Sequence, residues 1–195
     1  MAFALDKLPD IDKLATLLDT EEKKIAFVEV FYDQGSECPN EWGNEQLYSF
    51  NRDHTNYIDL EEFLEDSEKY PLDRTVFLQY TEHGPPCEWS VMNDQPVDNF
   101  HDVRFGGAIV FTEDHGIDDL TQAAENYCET YTAWCNGEVY CLLAKVYDIV
   151  TDSNGNVIKD ENHYAMNYTA IVDEIVGGYF DYDTYLLSEL RSMIQ

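Results

Sequence analysis

The chain has 195 residues, with 40 Asp and Glu against 11 Lys and Arg and a formal net charge of −29 at pH 7. Apolar residues make up 44% of the chain and aromatic residues 14%, so the acidity does not indicate disorder, and the length fits one domain over residues 1–195. A chain without a basic patch lacks what is needed to bind nucleic-acid phosphates, which excludes direct binding to DNA or RNA.

The first third of the chain predicts two helices and two strands. Residues 1–22 are expected to form an N-terminal helical appendage, because Ile11, Leu14 and Leu18 fall on one face of a helix over Leu8–Leu18. Runs of β-branched and aromatic residues predict strands at Lys24–Tyr32 and Gln46–Phe50. Apolar residues at helical spacing predict a helix at Asp59–Lys69 that buries Leu60, Phe63 and Leu64.

The remainder predicts strands around one long helix. The helix over Ile117–Asn136 carries an apolar stripe at helical spacing: Ile117, Leu120, Ala124, Tyr127, Tyr131 and Trp134. Strands are expected at Thr75–Thr81, Phe105–Thr112 and Glu138–Val150, and an irregular stretch at Glu82–Asn99. A hairpin turn is expected at Asn154-Gly155, with the chain returning through Val157 and Ile158. A terminal helix is expected to be capped by Asp183 and to carry Leu186, Leu190, Met193 and Ile194 on one side. Gly106-Gly107 suggests a bulge or a close backbone approach. We therefore expect an α+β fold, a mainly antiparallel sheet packed by one long amphipathic helix and several short helices.

Cysteine usage and hydropathy favour a cytoplasmic protein. No apolar run approaches the roughly 18 residues of a membrane-spanning helix, and Met1–Asp10 lacks the basic start of a signal peptide. The five cysteines are odd in number and have no C-x-x-C spacing, which favours reduced thiols. Cys128, Cys135 and Cys141 fall on predicted regular elements and are expected to be buried.

The charge is unevenly placed along the chain. Between Thr75 and Ala144 the only Lys or Arg is Arg104, whereas acidic residues are interleaved there with apolar ones. Solubility alone needs a net charge of roughly 2–8 on a small domain. The excess indicates a basic partner, life in high salt or cation binding.

Five motifs resemble, in the same order, those of a family of phage and phage-like accessory proteins. They are Cys38-Pro-Asn-Glu-Trp-Gly-Asn44, Arg52-Asp-His54 with Tyr57, Tyr80-Thr-Glu-His-Gly84, Gly107-Ala-Ile-Val110, and the stretch Glu125–Tyr140, which ends in Asn136-Gly-Glu-Val-Tyr140. The family usually has Arg at the position of Asn40 and Asp at that of Gly43. The resemblance implies a phage-type protein in a host cytoplasm and supplies no catalytic residue.

The sequence patterns that would indicate metal-binding or catalytic residues are weak. Two groups combine a histidine with acidic residues: Asp98 and Asp102 with His101, and Glu113 and Asp114 with His115. A chain this acidic produces such groups in loops by chance. Asp152-Ser-Asn154-Gly-Asn156 begins like a calcium loop, yet Val157 stands where glycine is required and His163 where a bidentate Glu is required, so a turn is favoured. Glu82-His83 near Cys87 would suggest a Cys–His nucleophilic site, but no third group is present to orient the histidine. We predict no metal, no cofactor and no enzymatic activity.

The acidic outer faces of the predicted helices are the candidate binding surface. On a rigid helix, carboxylates several ångströms apart can stand in for DNA phosphates against Lys and Arg. The expected partner-binding residues are Asp118, Glu125 and Glu129 on the long helix, Glu61, Glu65 and Glu68 on the earlier one as an extension of the same track, and Asp98 and Asp102. Trp89, Phe100 and Tyr131 are expected to anchor the contact.

The leading hypothesis is a DNA mimic, either an anti-CRISPR or an antirestriction protein. It would act as a monomer or a homodimer and bind the nucleic-acid surface of a host defence nuclease through protein–protein contacts. Two alternatives stay open: a salt-adapted acidic accessory protein, and a metal-dependent enzyme that uses the acid and histidine groups.

Overall fold

The computed structural model describes residues 3–43, 45–82, 86–92, 103–111, 118–160, 163–167, 169–180, 182 and 184–195. The fold is α+β, with strands paired antiparallel in two four-stranded sheets. The chain, for which we expected one domain, divides into two compact units, Met1–Ser36 with Gly137–Gln195 and Glu37–Asn136. Each unit has its own sheet.

The first unit contains a sheet of strand order β1-β2-β7-β10. Its strands are β1 (Ala15–Asp19), β2 (Lys24–Tyr32), β7 (Tyr140–Asp148) and β10 (Val172–Tyr179). Helix α3 (Thr184–Met193) buries Leu186 and Leu190 against one face of this sheet, in a cluster with Val28 and Leu142. The predicted strands at 24–32 and 138–150 and the terminal helix are confirmed, and β7 is central as expected. Asp183, the predicted cap, lies outside the described residues.

The prediction of an N-terminal helix is wrong. Residues 15–19 form β1 and pair with β2 from Ala15↔Val28 to Asp19↔Lys24. Ala15 and Leu17 pack toward the core, whereas Leu14 and Leu18 are exposed. Ala15 and Leu17 follow the two-residue period of a strand, which the helical stripe of Ile11, Leu14 and Leu18 does not, and pairing with β2 fixes the strand.

The predicted hairpin turn is confirmed. Asp152 Oδ1 accepts hydrogen bonds from the backbone N–H of Asn154 at 2.8 Å and of Asn156 at 2.9 Å, and Thr151 bridges Val157. Gly155 has a φ of 83°, which a glycine adopts without strain. The carboxylate that would begin a calcium loop is thus engaged by the amides of its own turn. Two short strands, β8 (Lys159–Asp160) and β9 (His163–Tyr164), pair beyond it.

The second unit contains a sheet of strand order β3-β6-β4-β5. Its strands are β3 (Glu45–Ser49), β4 (Thr75–Glu82), β5 (Cys87–Val91) and β6 (Val103–Phe111), and its helices are α1 (Leu60–Glu65), α2 (Leu120–Cys135) and two 3-10 turns at Pro39–Trp42 and Leu72–Arg74. The predictions for β3, β4, β6 and α2 are confirmed.

The two helices of this unit cover opposite faces of its sheet. Leu47, Leu78 and Ile109 share a core with α2. Their strand neighbours Tyr48, Phe77 and Ala108 share a second core with Phe63 of α1. Because adjacent residues of a strand point to opposite faces, α1 and α2 lie on different sides.

Two sequence predictions in this unit need correction. The stretch 82–99 is not wholly irregular, because residues 87–91 form edge strand β5. The earlier helix ends at Glu65, since Asp66 leaves helical geometry and its side chain accepts a hydrogen bond from the backbone N–H of Lys69. Phe63 is fully buried as predicted, but Leu64 is 46% exposed.

The glycine pair on β6 has both predicted features. The pairing of β4 with β6 shifts register between Leu78 and Gln79, where Leu78 faces Gly107 and Gln79 faces Phe105, so Gly106 forms a bulge. A Cβ on Gly106 would lie 2.5 Å from Tyr80 Cβ, and one on Gly107 would overlap the carbonyl oxygen of Tyr48. Only glycine fits at either position.

No helix in the described part of the chain is long and apolar enough to cross a membrane.

Candidate partner-binding surface

Helix α2 is fixed at its start by a capping residue and along its length by a buried stripe. Asp119 accepts hydrogen bonds from the backbone N–H groups of Thr121 and Gln122, which satisfies two amides of the first turn. Of the predicted apolar stripe, Ala124, Tyr127 and Tyr131 are buried, Leu120 and Trp134 are partly buried, and Ile117 lies outside the described residues. The predicted binding residues Asp118, Glu125 and Glu129 are all exposed.

The C-terminal half of α2 covers the open edge of β5. The Asn136 side chain accepts from Cys87 N–H and donates to the Cys87 carbonyl, both at 2.9 Å. One turn earlier, Thr132 Oγ1 accepts from Trp89 N–H at 2.9 Å. These contacts satisfy backbone groups that an edge strand otherwise leaves unpaired, and they hold helix and strand in a fixed relation.

Helix and strand together enclose a pocket of about 240 Å³, here called the acidic pocket. Glu125 and Glu129 of α2 and Glu88 of β5 are its carboxylates, and the other lining residues are Gln79, Trp89, Ser90, Val91 and Cys128. Glu88 was missed in the sequence analysis because residues 82–99 were interpreted as irregular. The alternation of Glu88 and Ser90 with apolar Cys87, Trp89 and Val91 is the signal that would have indicated the strand.

The charge of the acidic pocket is not neutralised within the described residues. Ion pairs there join Lys13 to Asp10 and Lys145 to Asp173, in the first unit, and none involves Glu88, Glu125 or Glu129. Glu125 accepts only a neutral hydrogen bond, from Gln122 Nε2 at 3.2 Å. Burial and the charges of Glu125 and Glu129 raise the pKa of the Cys128 thiol to about 12. The pocket is therefore an uncompensated site of negative potential beside a neutral thiol.

The other predicted binding residues do not extend this surface. Glu61, Glu65 and Glu68 are exposed, but α1 lies on the opposite face of the sheet from α2, and Glu68 follows the end of the helix. The two acidic groups thus form separate surfaces and not one track. Asp98 and Asp102 lie outside the described residues.

The predicted aromatic anchors do not project from the surface. Trp89 and Tyr131 are each only 4% exposed, because both belong to the core under α2. Phe100 lies outside the described residues. The expectation that Trp89 and Tyr131 add anchoring contacts from an exposed surface is therefore not met.

Their rings instead line a second pocket, of about 280 Å³, here called the aromatic pocket. Five aromatic residues form its wall, and it is lined by His54, Tyr80, Trp89, Tyr131 and Trp134 together with Asp53, Thr55, Asn56, Cys87 and Cys135. Trp89 lines both pockets, so they adjoin along β5 and α2.

Two asparagines of the motifs have structural roles. Asn136 closes the edge of β5, as described above, and Asn40 does the same at the opposite edge strand, β3. Asn40 donates to the Leu47 carbonyl and accepts from Leu47 N–H, both at 2.9 Å, and Tyr127 donates to Asn40 Oδ1 at 2.6 Å. These side chains complete the sheet of the second unit.

The thiols and the acid–histidine groups form no reactive centre among the described residues. Cys128 and Cys141 are buried as predicted, whereas Cys135 is exposed, so the prediction is wrong there. The described residues contain no group of three or more His, Cys, Asp or Glu that could hold a metal ion. The candidate groups at 98–102 and 113–115, and His83, lie outside these residues.

Comparisons with known proteins add no relative to these observations. No family model, curated protein or solved structure matches this chain.

Proposed function

We propose that this protein binds a basic, nucleic-acid-binding surface of a host protein and acts as a DNA-mimic inhibitor of a defence nuclease, of the anti-CRISPR or antirestriction type. The single observation that carries the proposal is the acidic pocket, which Glu88 of β5 and Glu125 and Glu129 of α2 line without an ion-pair partner among the described residues. A Lys or Arg side chain of the partner would supply the missing positive charge.

The physical cost of this arrangement supports a role in binding. Glu125 and Glu129 are a like-charged pair four residues apart on one helix, which destabilises a helix by roughly 0.2–0.5 kcal/mol. The formal charge of −29 adds repulsion over the whole chain. A basic surface would relieve both, and the same charge would accelerate association with it.

The proposed setting is the host cytoplasm during phage infection. It rests on the resemblance of the motifs to phage and phage-like accessory proteins and on the five cysteines, none of which forms a disulfide in the structure. The nuclease would contact Glu125 and Glu129 where it otherwise holds DNA phosphates, and so would be unable to hold both ligands.

The test is co-purification from a bacterial lysate with variants of equal net charge. Glu88, Glu125 and Glu129 are replaced together by Gln in one variant, and Glu61, Glu65 and Glu68 in its control. We expect the wild type and the control to retain a nucleic-acid-binding nuclease at low salt and release it at high salt, whereas the pocket variant captures little.

A second measurement addresses the mechanism. The captured nuclease should lose DNA binding when the protein is added, and excess duplex DNA should restore it by competition. Capture that does not depend on salt, equal loss in both Gln variants, or a ternary complex with DNA would contradict the proposal.

A further inference from the structure

The aromatic pocket has a wall of aromatic side chains that contact one another. Its rings follow one another in contact: His54 and Tyr80 have centroids 4.9 Å apart, Tyr80 and Trp89 4.8 Å, Trp89 and Tyr131 6.1 Å, and Tyr131 and Trp134 5.6 Å. At about 280 Å³ it lies just below the roughly 300–1,000 Å³ of small-molecule sites, a size that suits a single side chain.

The rings are held in place by the surrounding structure. His54 Nδ1 lies 2.8 Å from the hydroxyl of Ser49, and Ser49 is fully buried. Trp89 is fixed through its backbone by Thr132, and Tyr131 packs in the core of the second unit. Because these side chains are already ordered, binding would cost little conformational entropy.

The chemistry of the lining favours a cation. Aromatic faces attract positive charge within about 6 Å of their centroids. Asp53 is an exposed carboxylate among the lining residues, and none of the lining residues that the structure describes is a Lys or Arg. The adjoining acidic pocket adds a negative field from Glu88, Glu125 and Glu129.

The same lining distinguishes between the two cationic side chains. A lysine ammonium is a strongly hydrated point charge, whereas the guanidinium of arginine is planar, more weakly hydrated and stacks on aromatic rings. The rings offer faces on which a guanidinium can stack, and the side-chain oxygens of Asp53, Thr55 and Asn56 can accept from its N–H groups.

We propose that the aromatic pocket binds the guanidinium group of an arginine side chain. This inference rests on the proposed function, because the arginine belongs to the same basic partner that the acidic pocket contacts. Trp134, which is only partly buried, and Asp53, which is exposed, provide the contacts that the bound group gains. Arginine in one pocket and a basic side chain in the other would fix the register of the partner along β5 and α2.

The test uses a short peptide and needs no nuclease. The probe is the pentapeptide Gly-Gly-Arg-Gly-Gly with blocked ends, and its control contains citrulline, which has nearly the same shape without the charge. Binding is followed by NMR through the indole N–H signals of the tryptophans. We expect saturable shifts with the arginine peptide and none with the citrulline peptide.

Variants assign the binding to the pocket. Trp134→Ala and Asp53→Asn should each weaken binding of the arginine peptide by about five-fold or more, within the range of one cation–π or ionic contact. Trp42→Ala, which removes an exposed tryptophan outside the pocket, and Glu61→Gln, which removes the same charge as Asp53→Asn, should leave it unchanged. If Trp134→Ala does not fold, Trp134→Phe and the surface variant Asp53→Asn still decide the question.

Equal binding of arginine and citrulline peptides, or unchanged binding in the Trp134 and Asp53 variants, would overturn this inference. Its failure is distinguishable from failure of the proposed function. Salt-dependent capture of a nuclease that is lost in the Glu88, Glu125 and Glu129 variant, without binding of the arginine peptide, removes the guanidinium site alone.

Discussion

The amide of Asn136 forms two hydrogen bonds with the backbone of Cys87, one to the N–H and one to the carbonyl, each 2.9 Å long. Asn40 forms the equivalent pair with Leu47 at the other edge of the same sheet. An asparagine side chain carries a donor and an acceptor side by side, as a neighbouring strand does. Side chains thus protect both edges of a four-stranded sheet from pairing with another chain, Asn136 and Thr132 at β5 and Asn40 and Asn56 at β3.

Replacing Asn136 should destabilise the second unit. Asn136→Ala removes both hydrogen bonds to the backbone of Cys87, at a cost of roughly 1–3 kcal/mol. All three tryptophans lie between residues 37 and 136, so their fluorescence during urea unfolding reports on this unit. Asn126→Ala, at an exposed position of α2, is the control. Equal midpoints for the two alanine variants would show that the Cys87 contacts contribute nothing.

Asn40→Arg tests the meaning of a motif departure. The motif that residues 38–44 resemble has Arg at this position, but arginine has only donors and cannot accept from Leu47 N–H or from the Tyr127 hydroxyl. We expect Asn40→Arg to lower the free energy of unfolding of the second unit by roughly 2–3 kcal/mol, and the exposed control Asn126→Arg to change it little. Unchanged stability in Asn40→Arg would mean that Asn56, whose side chain also donates to the Leu47 carbonyl, suffices to close the edge of β3.

The elements whose signals are local were predictable from the sequence, whereas the pairing of distant segments was not. The β-branched and aromatic residues of 24–32 predict a strand from their own composition, and the apolar stripe of α2 predicts a helix with one buried face. The helix predicted near Leu17 became a strand because β2 pairs with it, which no local pattern records. Glu88 entered the acidic pocket for the same reason, since only the packing of α2 on β5 brings residue 88 beside residues 125 and 129.

Gly107→Ala should be among the most destabilising single changes in the second unit. Its Cβ would overlap the carbonyl oxygen of Tyr48 on the paired strand, and two backbones cannot separate without breaking their hydrogen bonds. We expect a loss of about 3 kcal/mol or more, or failure to fold, measured by thermal unfolding with circular dichroism. Gly35→Ala is the matched control, because the nearest atom to its Cβ is Asp33 Oδ1 at 3.8 Å and its φ is not positive. A small effect of Gly107→Ala would indicate that β3 and β6 are less closely paired than described.

The Cys128 thiol should make stability fall in alkaline solution. Burial and the carboxylates of Glu125 and Glu129 raise its pKa from an ordinary value of 9.0 to about 12. Above pH 9 the unfolded chain releases this proton and the native chain keeps it, so the unfolded state binds fewer protons. The free energy of unfolding therefore decreases as pH rises, by up to about 1.4 kcal/mol per pH unit. Below pH 9 both states hold the proton and the contribution is constant.

Comparison of the wild type with Cys128→Ala isolates this effect, because the tyrosines and the other thiols are common to both. Urea unfolding in the presence of a reductant, between about pH 8 and pH 10, should give a steeper decline for the wild type. In the double variant Glu125→Gln and Glu129→Gln the free energy of unfolding should decline less steeply with pH than in the wild type, since removing two negative charges beside the thiol lowers the pKa of the thiol. Parallel profiles in the wild type and Cys128→Ala would mean that the thiol contributes nothing to the decline, and parallel profiles in the wild type and the double variant would mean that the carboxylates do not act on it. A shallower profile in the double variant would show that the charges of Glu125 and Glu129 act on Cys128, which lines the acidic pocket with them.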